Sequence, residues 1–156
     1  MATRVSAGIL AYRRRDAGRL EVLLVHPGGP FFAKKGDGYW SIPKGEPDPG
    51  ETDMAEAARR EFEEETGQPV PDGPLIALGT ITQKGGKVVH AWAVEADLDT
   101  ASMTSSTFEM DWPPFSGRKG TFPEIDGWAY FGPEEARLKI KSSQIPLLER
   151  LEEALK

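Results

Sequence analysis

The order of elements along this chain predicts an α+β protein, layered α/β/α, on three observations. Apolar, β-branched runs occur in pairs, a glutamate-rich amphipathic segment divides the pairs, and a second amphipathic segment lies near the end. At 156 residues the chain has the length for one domain with a buried core. No repeat or linker interrupts it, so 1–156 reads as a single domain.

Arg4–Tyr12 and Leu20–His26 are the first apolar runs, and Asp16, Ala17 and Gly18 between them signal a β-hairpin. Residues 27–38 contain Pro-Gly-Gly-Pro and Lys-Lys-Gly-Asp-Gly, the composition of a loop. Tyr39–Pro43 reads as a short strand and Lys44–Gly50 as a Gly- and Pro-rich loop. Asp53–Thr66 is a helix: Asp53 followed by Glu56 resembles a capping box, and Gly67 supplies the stop. Leu75–Gln83 and Lys87–Ala96 flank Lys84-Gly85-Gly86, a second hairpin. Asp97–Pro123 is polar and turn-rich and reads as a long connection. Gly127–Phe131 is a strand and Pro133–Lys139 a short helix. Gln144–Leu155 is a terminal helix with Ile145, Leu148, Leu151 and Leu155 on one stripe.

Composition narrows the function. With no cysteine, disulfides and thiolate metal sites are excluded. Met1–Ala11 lacks the charged start and long apolar core of a signal peptide. No apolar run approaches the ~18–20 residues that span a bilayer. The expected location is the cytoplasm, with no membrane partner. A formal charge of −6 argues against nucleic acid as a partner, since duplex binding draws on excess Lys and Arg. An acidic protein still binds polyphosphates when divalent cations lie between its carboxylates and the ligand.

Geometry gives the glutamate-rich helix its meaning. With Glu61 placed at 0°, Glu64 falls at about 300° and Glu65 at about 40°. Ala58, Phe62 and Ala55 occupy the adjoining arc, the expected core stripe, while Arg59, Glu63, Glu56 and Arg60 face solvent. Like charges one turn apart cost an isolated helix roughly 0.2–0.5 kcal/mol per pair. A cation among them removes that cost, and a carboxylate-only set suits Mg²⁺ or Mn²⁺. Glutamate is also a good helix former, and an acidic solvated face remains the competing account.

The flanking residues add a specific resemblance. Gly45-Glu-Pro-Asp-Pro-Gly-Glu51 and Arg60-Glu61-Phe62-Glu63-Glu64-Glu65-Thr66-Gly67 resemble the Nudix box, Gly-x5-Glu-x7-Arg-Glu-U-x-Glu-Glu-x-Gly-U, with U apolar. Trp40-Ser-Ile-Pro-Lys-Gly45 is similar to the strand that leads into that box in many members. Two departures stand out: the stretch between Glu51 and Arg60 is one residue longer than the pattern, and Gln68 stands where it prefers an apolar residue.

The resemblance implies a Nudix α/β/α sandwich, with a mixed curved sheet between helices, and Mg²⁺- or Mn²⁺-dependent hydrolysis of a pyrophosphate bond in a nucleoside diphosphate derivative. A dinucleoside polyphosphate or a nucleoside triphosphate is the expected substrate. It implies Glu61, Glu64, Glu65 and the Lys44 backbone carbonyl as metal ligands, and Arg60 as the residue that orients a neighbouring carboxylate. Glu64 is one candidate base; Glu124, brought in by a later loop, is the preferred outside candidate and Glu109 the second. Trp40, Phe32, Lys44, Lys35 and Arg118 are candidates to bind substrate, by stacking or by gripping phosphates. Phe31, Trp112, Phe115, Lys34 and Lys119 are weaker candidates for the same work. His26 and His90 lie in predicted strands without a partner at metal-ligand spacing and read as structural. The alternative function is a Nudix-fold module that senses a nucleotide without turning it over.

Overall fold

The computed structural model describes residues 4–156. Strands β1 (Val5–Arg15) and β2 (Arg19–Pro27) form the first hairpin, in register from Tyr12↔Val22 to Arg15↔Arg19. Its turn takes Asp16, Ala17 and Gly18 through positive φ. Toward the start of β1 the two strands diverge, and residues 40–45 enter between them. Ser41 exchanges backbone hydrogen bonds with Val25, Ile9 N–H donates to the Pro43 carbonyl, and Lys44–Gly45 forms a short strand, β3, against Ala7 and Gly8 of β1. Gly8 permits this wedge: a Cβ there would lie 2.8 Å from both the Pro43 carbonyl oxygen and the Lys44 Cβ. Lys44–Gly45 is therefore paired strand rather than the start of a loop. The predicted strand at Tyr39–Pro43 is reduced to single bridges at Trp40 and Ser41.

Helix α1 (Met54–Thr66) follows, then β4 (Ile76–Thr82) and β5 (Val88–Glu95), a hairpin whose turn uses Gly85 and Gly86 at positive φ. Asp53 caps α1 by accepting from Ala55 N–H and Glu56 N–H. Gly67 ends it in the left-handed region at φ 74°. Strand β5 runs parallel to β1, which makes the sheet mixed. The connection read as turn-rich at 97–123 holds two strands that the sequence reading missed, β6 (Thr107–Asp111) and β7 (Lys119–Pro123), paired as a separate ribbon. They alternate half-buried and exposed residues without a deep apolar face, so no strong period marks them. Strand β8 (Ile125–Phe131) returns to the sheet beside β2, followed by α2 (Pro133–Lys139) and α3 (Ile145–Ala154).

The main sheet has the order β4-β5-β1-β2-β8, with β3 beside β1. One face carries Ala7, Ile9, Ala11, Leu23 and Val94 against Ala57, Ala58 and Phe62 of α1. The other carries Leu10, Val22, Leu24, Val89 and Ala91 against Ala136 of α2 and Leu147, Leu148 and Leu151 of α3. Alternation along β1 divides its residues between the two cores, as period-2 geometry requires. The result is an α/β/α sandwich. No helix among the described residues is long and apolar enough to cross a membrane.

Candidate active site

The wedge of residues 40–45 carries β3 to the flank of α1, and the site forms where they meet. Gly45 faces the Glu61 carboxylate so closely that a Cβ would lie 2.1 Å from its Oε2. Lys44 N–H donates to Glu65 Oε1 at 3.3 Å. On the helix, Ala57 to one side and Ala58 and Phe62 to the other are fully buried, so Glu61 and Glu65 project from within the packed arc. The expected core stripe of Ala58, Phe62 and Ala55 is thus shifted: Ala57 and Thr66 are buried and Ala55 only half so.

Burial dominates the electrostatics. It pushes the Glu65 carboxyl up to about 8, with Glu61 and Glu124 adding repulsion and Lys44 opposing it. Glu61 is raised by burial and then by the charge of Glu64. Lys44 is lowered to about 8, by burial first and by Lys141 and Lys87 next. Arg60 is held firmly charged, chiefly by Glu51. Its guanidinium donates to Glu51 at 2.9 Å, Glu61 at 3.0 Å and Glu64 at 2.9 Å. One cation thus spans three box glutamates, and a further contact reaches Asp48 at 3.2 Å.

Glu124 reaches the same cleft from the bend between β7 and β8. Glu61, Glu64, Glu65 and Glu124 line a cavity of about 370 Å³ together with Lys44 and Lys87. The backbone fixes Glu124 from two sides: its N–H donates to Ser106 and its carbonyl accepts from Gly28. Ser106 N–H in turn donates to the Glu64 carbonyl, tying this bend to the helix. Glu109 is exposed on β6 and does not line the cleft.

The proposed substrate-binding residues separate. Lys44 lies at the centre. Trp40 is packed edge-on against His26 and Phe131, with ring centroids 5.2 and 5.0 Å away, and anchors the wedge. Phe32 and Lys35 sit on the exposed 27–38 loop beside Tyr39, and Arg118 is exposed in the β6–β7 turn; none of the three lines the glutamate cleft. Phe31 packs on Trp112 at 5.5 Å, and Phe115 is fully exposed at the ribbon tip. His26 is buried, bonded through Nδ1 to Asp126 at 2.6 Å and through Nε2 to the Lys35 carbonyl, so it staples the 27–38 loop to β8. His90 lies beside Trp92 in β5, away from the cleft. Gln68 uses its polarity: its amide donates to the Asp99 carbonyl and Ser102 Oγ.

Lys87, Lys141, Tyr39 and Ser106 were not singled out by the sequence. Their signal is tertiary. Lys141 arrives because Lys141 N–H donates to the Trp40 carbonyl, joining the α2–α3 link to the wedge. Trp128 donates its indole N–H to the Glu65 carbonyl at 2.6 Å and fixes the end of α1 against β8.

The donor set fits a divalent cation. Half-buried carboxylates, one of them with only a backbone N–H as hydrogen-bond partner, lie beside a glycine whose missing side chain makes room for the Glu61 carboxylate. Among the described residues no three acidic or histidine side chains converge tightly as a finished cage. Glu61 and Glu64 are drawn instead onto Arg60.

Comparison with known proteins gives the family and the fold. The NUDIX domain family model matches residues 2–151, and the chain belongs to that family. The NUDIX domain of Shewanella oneidensis NrtR, solved with ADP ribose, is similar in structure (TM-score 0.71, 15% identity, 100% of this chain and 90% of that one). So is a C. elegans Ap4A hydrolase in a binary complex (TM-score 0.65, 25% identity, 98% of each chain). A MutT protein from Methanosarcina mazei Go1 covers 100% of this chain and 99% of its own, at TM-score 0.61 and 18% identity. No curated protein matches.

Proposed function

We propose that the chain is a Mg²⁺- or Mn²⁺-dependent pyrophosphohydrolase acting on a nucleoside diphosphate derivative, with dinucleoside polyphosphates and nucleoside triphosphates as the first candidates. The observation that carries this reading is the placement of Glu61 and Glu65 inside the packed face of α1, opposite Lys44 and Gly45. A helix needing only solubility would turn those charges outward.

Glu61, Glu64, Glu65 and the Lys44 carbonyl would hold the cation. When bound, it supplies neutralisation of phosphate charge and an acidified water. The protein's own residues do the rest. Arg60 fixes the spacing of Glu61 and Glu64 through paired hydrogen bonds and keeps Glu51 beside them. The Lys44 ammonium faces the substrate oxygens. A carboxylate, Glu124 or Glu64, accepts the proton of the attacking water. One P–O bond forms to that water, the bridging P–O bond breaks, and its electron pair leaves with the departing phosphate.

A sensor that binds without turnover is the second reading, and the likeness to the NrtR domain gives it a fold precedent. It is weakened by Glu61, Glu64 and Glu65 all standing in place. The test is a product assay with Mg²⁺ across Ap4A, nucleoside triphosphates and ADP-ribose, comparing the wild type with Glu64→Gln. Pyrophosphate-bond cleavage lost in Glu64→Gln is expected. Tight nucleotide binding without any product would establish the sensor reading instead.

A further inference from the structure

We propose that Lys44, Lys87 and Lys141 form a site for a phosphate group beyond those at the cleaved bond, so that the substrate carries three or more phosphates rather than a two-phosphate link to a sugar. This inference rests on the cleft being the substrate site proposed above.

The three lysines come from three separate segments: β3, the turn before β5, and the link between α2 and α3. All are half-buried. Among the described residues none forms an ion pair, whereas Lys139, half-buried as they are, pairs with Asp37 at 3.0 Å. Lys44 and Lys87 line the glutamate cleft, while Lys44 and Lys141 line an adjoining cavity of about 160 Å³ with Tyr39 and Ser41. The two cavities share Lys44, Glu65 and Glu124, so the lysines continue the cleft past the glutamates. Burial first and the charge of Lys87 next disfavour the charged form of Lys141, with Glu65 opposing them.

Sheltered ammonium groups without an anion are costly. Glu65 favours the charged forms of Lys44 and Lys141 across the cavities but makes an ion pair with neither among the described residues, and the cation proposed above would take up its charge. A phosphate with its several acceptor oxygens accommodates more than one ammonium at once. A neutral sugar in that position would leave the charges bare.

The arrangement is also built rather than incidental. Gln144, fully buried, accepts from Ile42 N–H at 3.0 Å and donates to Ser41 Oγ at 2.9 Å and Gln83 Oε1 at 3.0 Å. One side chain therefore locks the wedge that ends in Lys44 to the turn that carries Lys87. It does so from the segment that begins with Lys141.

The experiment is calorimetric titration of the full chain with inorganic tripolyphosphate and with pyrophosphate, in EDTA, for the wild type, Lys87→Met and Lys141→Met. Thermal unfolding of each variant establishes that it is folded. Tripolyphosphate should bind at least about tenfold tighter than pyrophosphate, and each variant should lose about tenfold for tripolyphosphate while pyrophosphate changes little. Equal wild-type affinities, or variants that leave tripolyphosphate binding intact, would overturn the proposal. With Mg²⁺ present, the same variants should lower the preference for a polyphosphate over ADP-ribose about tenfold, through KM. Binding in EDTA is read without turnover, so a protein that binds tripolyphosphate in this pattern but hydrolyses nothing would overturn the hydrolytic reading and leave the lysine site standing.

Discussion

Arg60 donates to Glu51 at 2.9 Å across a connection one residue longer than the family spacing. Helix α1 runs unbroken from Met54 to Thr66, so the surplus residue lies ahead of it, where Thr52 and Asp53 are exposed. The turn at 48–51 is closed by Glu51 N–H to the Asp48 carbonyl and Asp48 N–H to the Glu51 carboxylate, each at 2.9 Å. Glu51 is thereby returned to Arg60, and its carboxyl is held below the usual carboxylate range. Arg60→Met should lower kcat about 10–100-fold with the fold retained, because Glu61 and Glu64 lose the group that spaces them. Glu51→Gln should have a smaller effect in the same direction, and the double variant should fall short of the product of the two. Steady-state kinetics with circular dichroism checks this, and additive effects would mean that the pair does not act as a unit.

Much of the site was legible because it is local. Glu61, Glu64 and Glu65 lie within two turns of one helix, and 3.6-residue periodicity alone puts them on one side. Their depth was less legible: Ala57 completes the buried arc because α1 packs on the β1 face that carries Ala7, Ile9 and Ala11, a fact about the facing sheet. The β6–β7 ribbon was missed because its strands bury little, and with it the route by which Ser106 ties Glu64 to Glu124. Lys87 and Lys141 were invisible for the same reason that makes them informative. They meet only through the pairing of Trp40 with the α2–α3 link and through the buried amide of Gln144.

The charge on Glu65 should make stability depend on pH. Its folded pKa, about 8, lies well above the usual carboxylate range. The stabilisation from its protonated form is therefore present at and below the pH where an unfolded carboxylate titrates and is lost as pH rises through the folded value. Lys44, lowered to about 8, acts in the opposite direction but only above that pH, as it loses its proton. In EDTA the thermal midpoint should fall between pH 5 and about 8, and Glu65→Gln should flatten that fall. Mg²⁺ should raise the midpoint more at pH 8 than at pH 6, since cation binding requires the carboxylate. A flat wild-type profile would show that Glu65 ionises freely.

Gln144 should matter to stability more than its distance from the glutamates suggests. Replacing it with Leu leaves Ile42 N–H without its partner in a fully buried setting, and releases Ser41 and Gln83 as well. A loss of about 1–3 kcal/mol is expected from the unsatisfied donor alone. Urea unfolding measures it, and an unchanged midpoint would mean that the wedge holds its place without the amide. In the folded variant, affinity for tripolyphosphate should also drop, because the segments bearing Lys44 and Lys87 are no longer tied.

Glu124 and Glu109 make a controlled pair for finding the base. Both are exposed acids, Glu109 at the middle of β6 and Glu124 just past β7, but only Glu124 lines the cleft. Its backbone is held by Ser106 and Gly28, and Gly28 has no room for a side chain, since a Cβ would lie 2.1 Å from the Pro123 carbonyl oxygen. Glu124→Gln keeps the shape and removes the proton acceptor. If Glu124 takes the proton, kcat should fall about 10²–10⁴-fold with KM little changed, while Glu109→Gln stays near wild type. Gly28→Ala should reproduce part of that loss without altering any titratable group, by displacing the bend that presents Glu124. If Glu124→Gln remains active and Glu64→Gln alone is dead, the proton goes to the helix, and the bend between β7 and β8 serves only to shape the cleft.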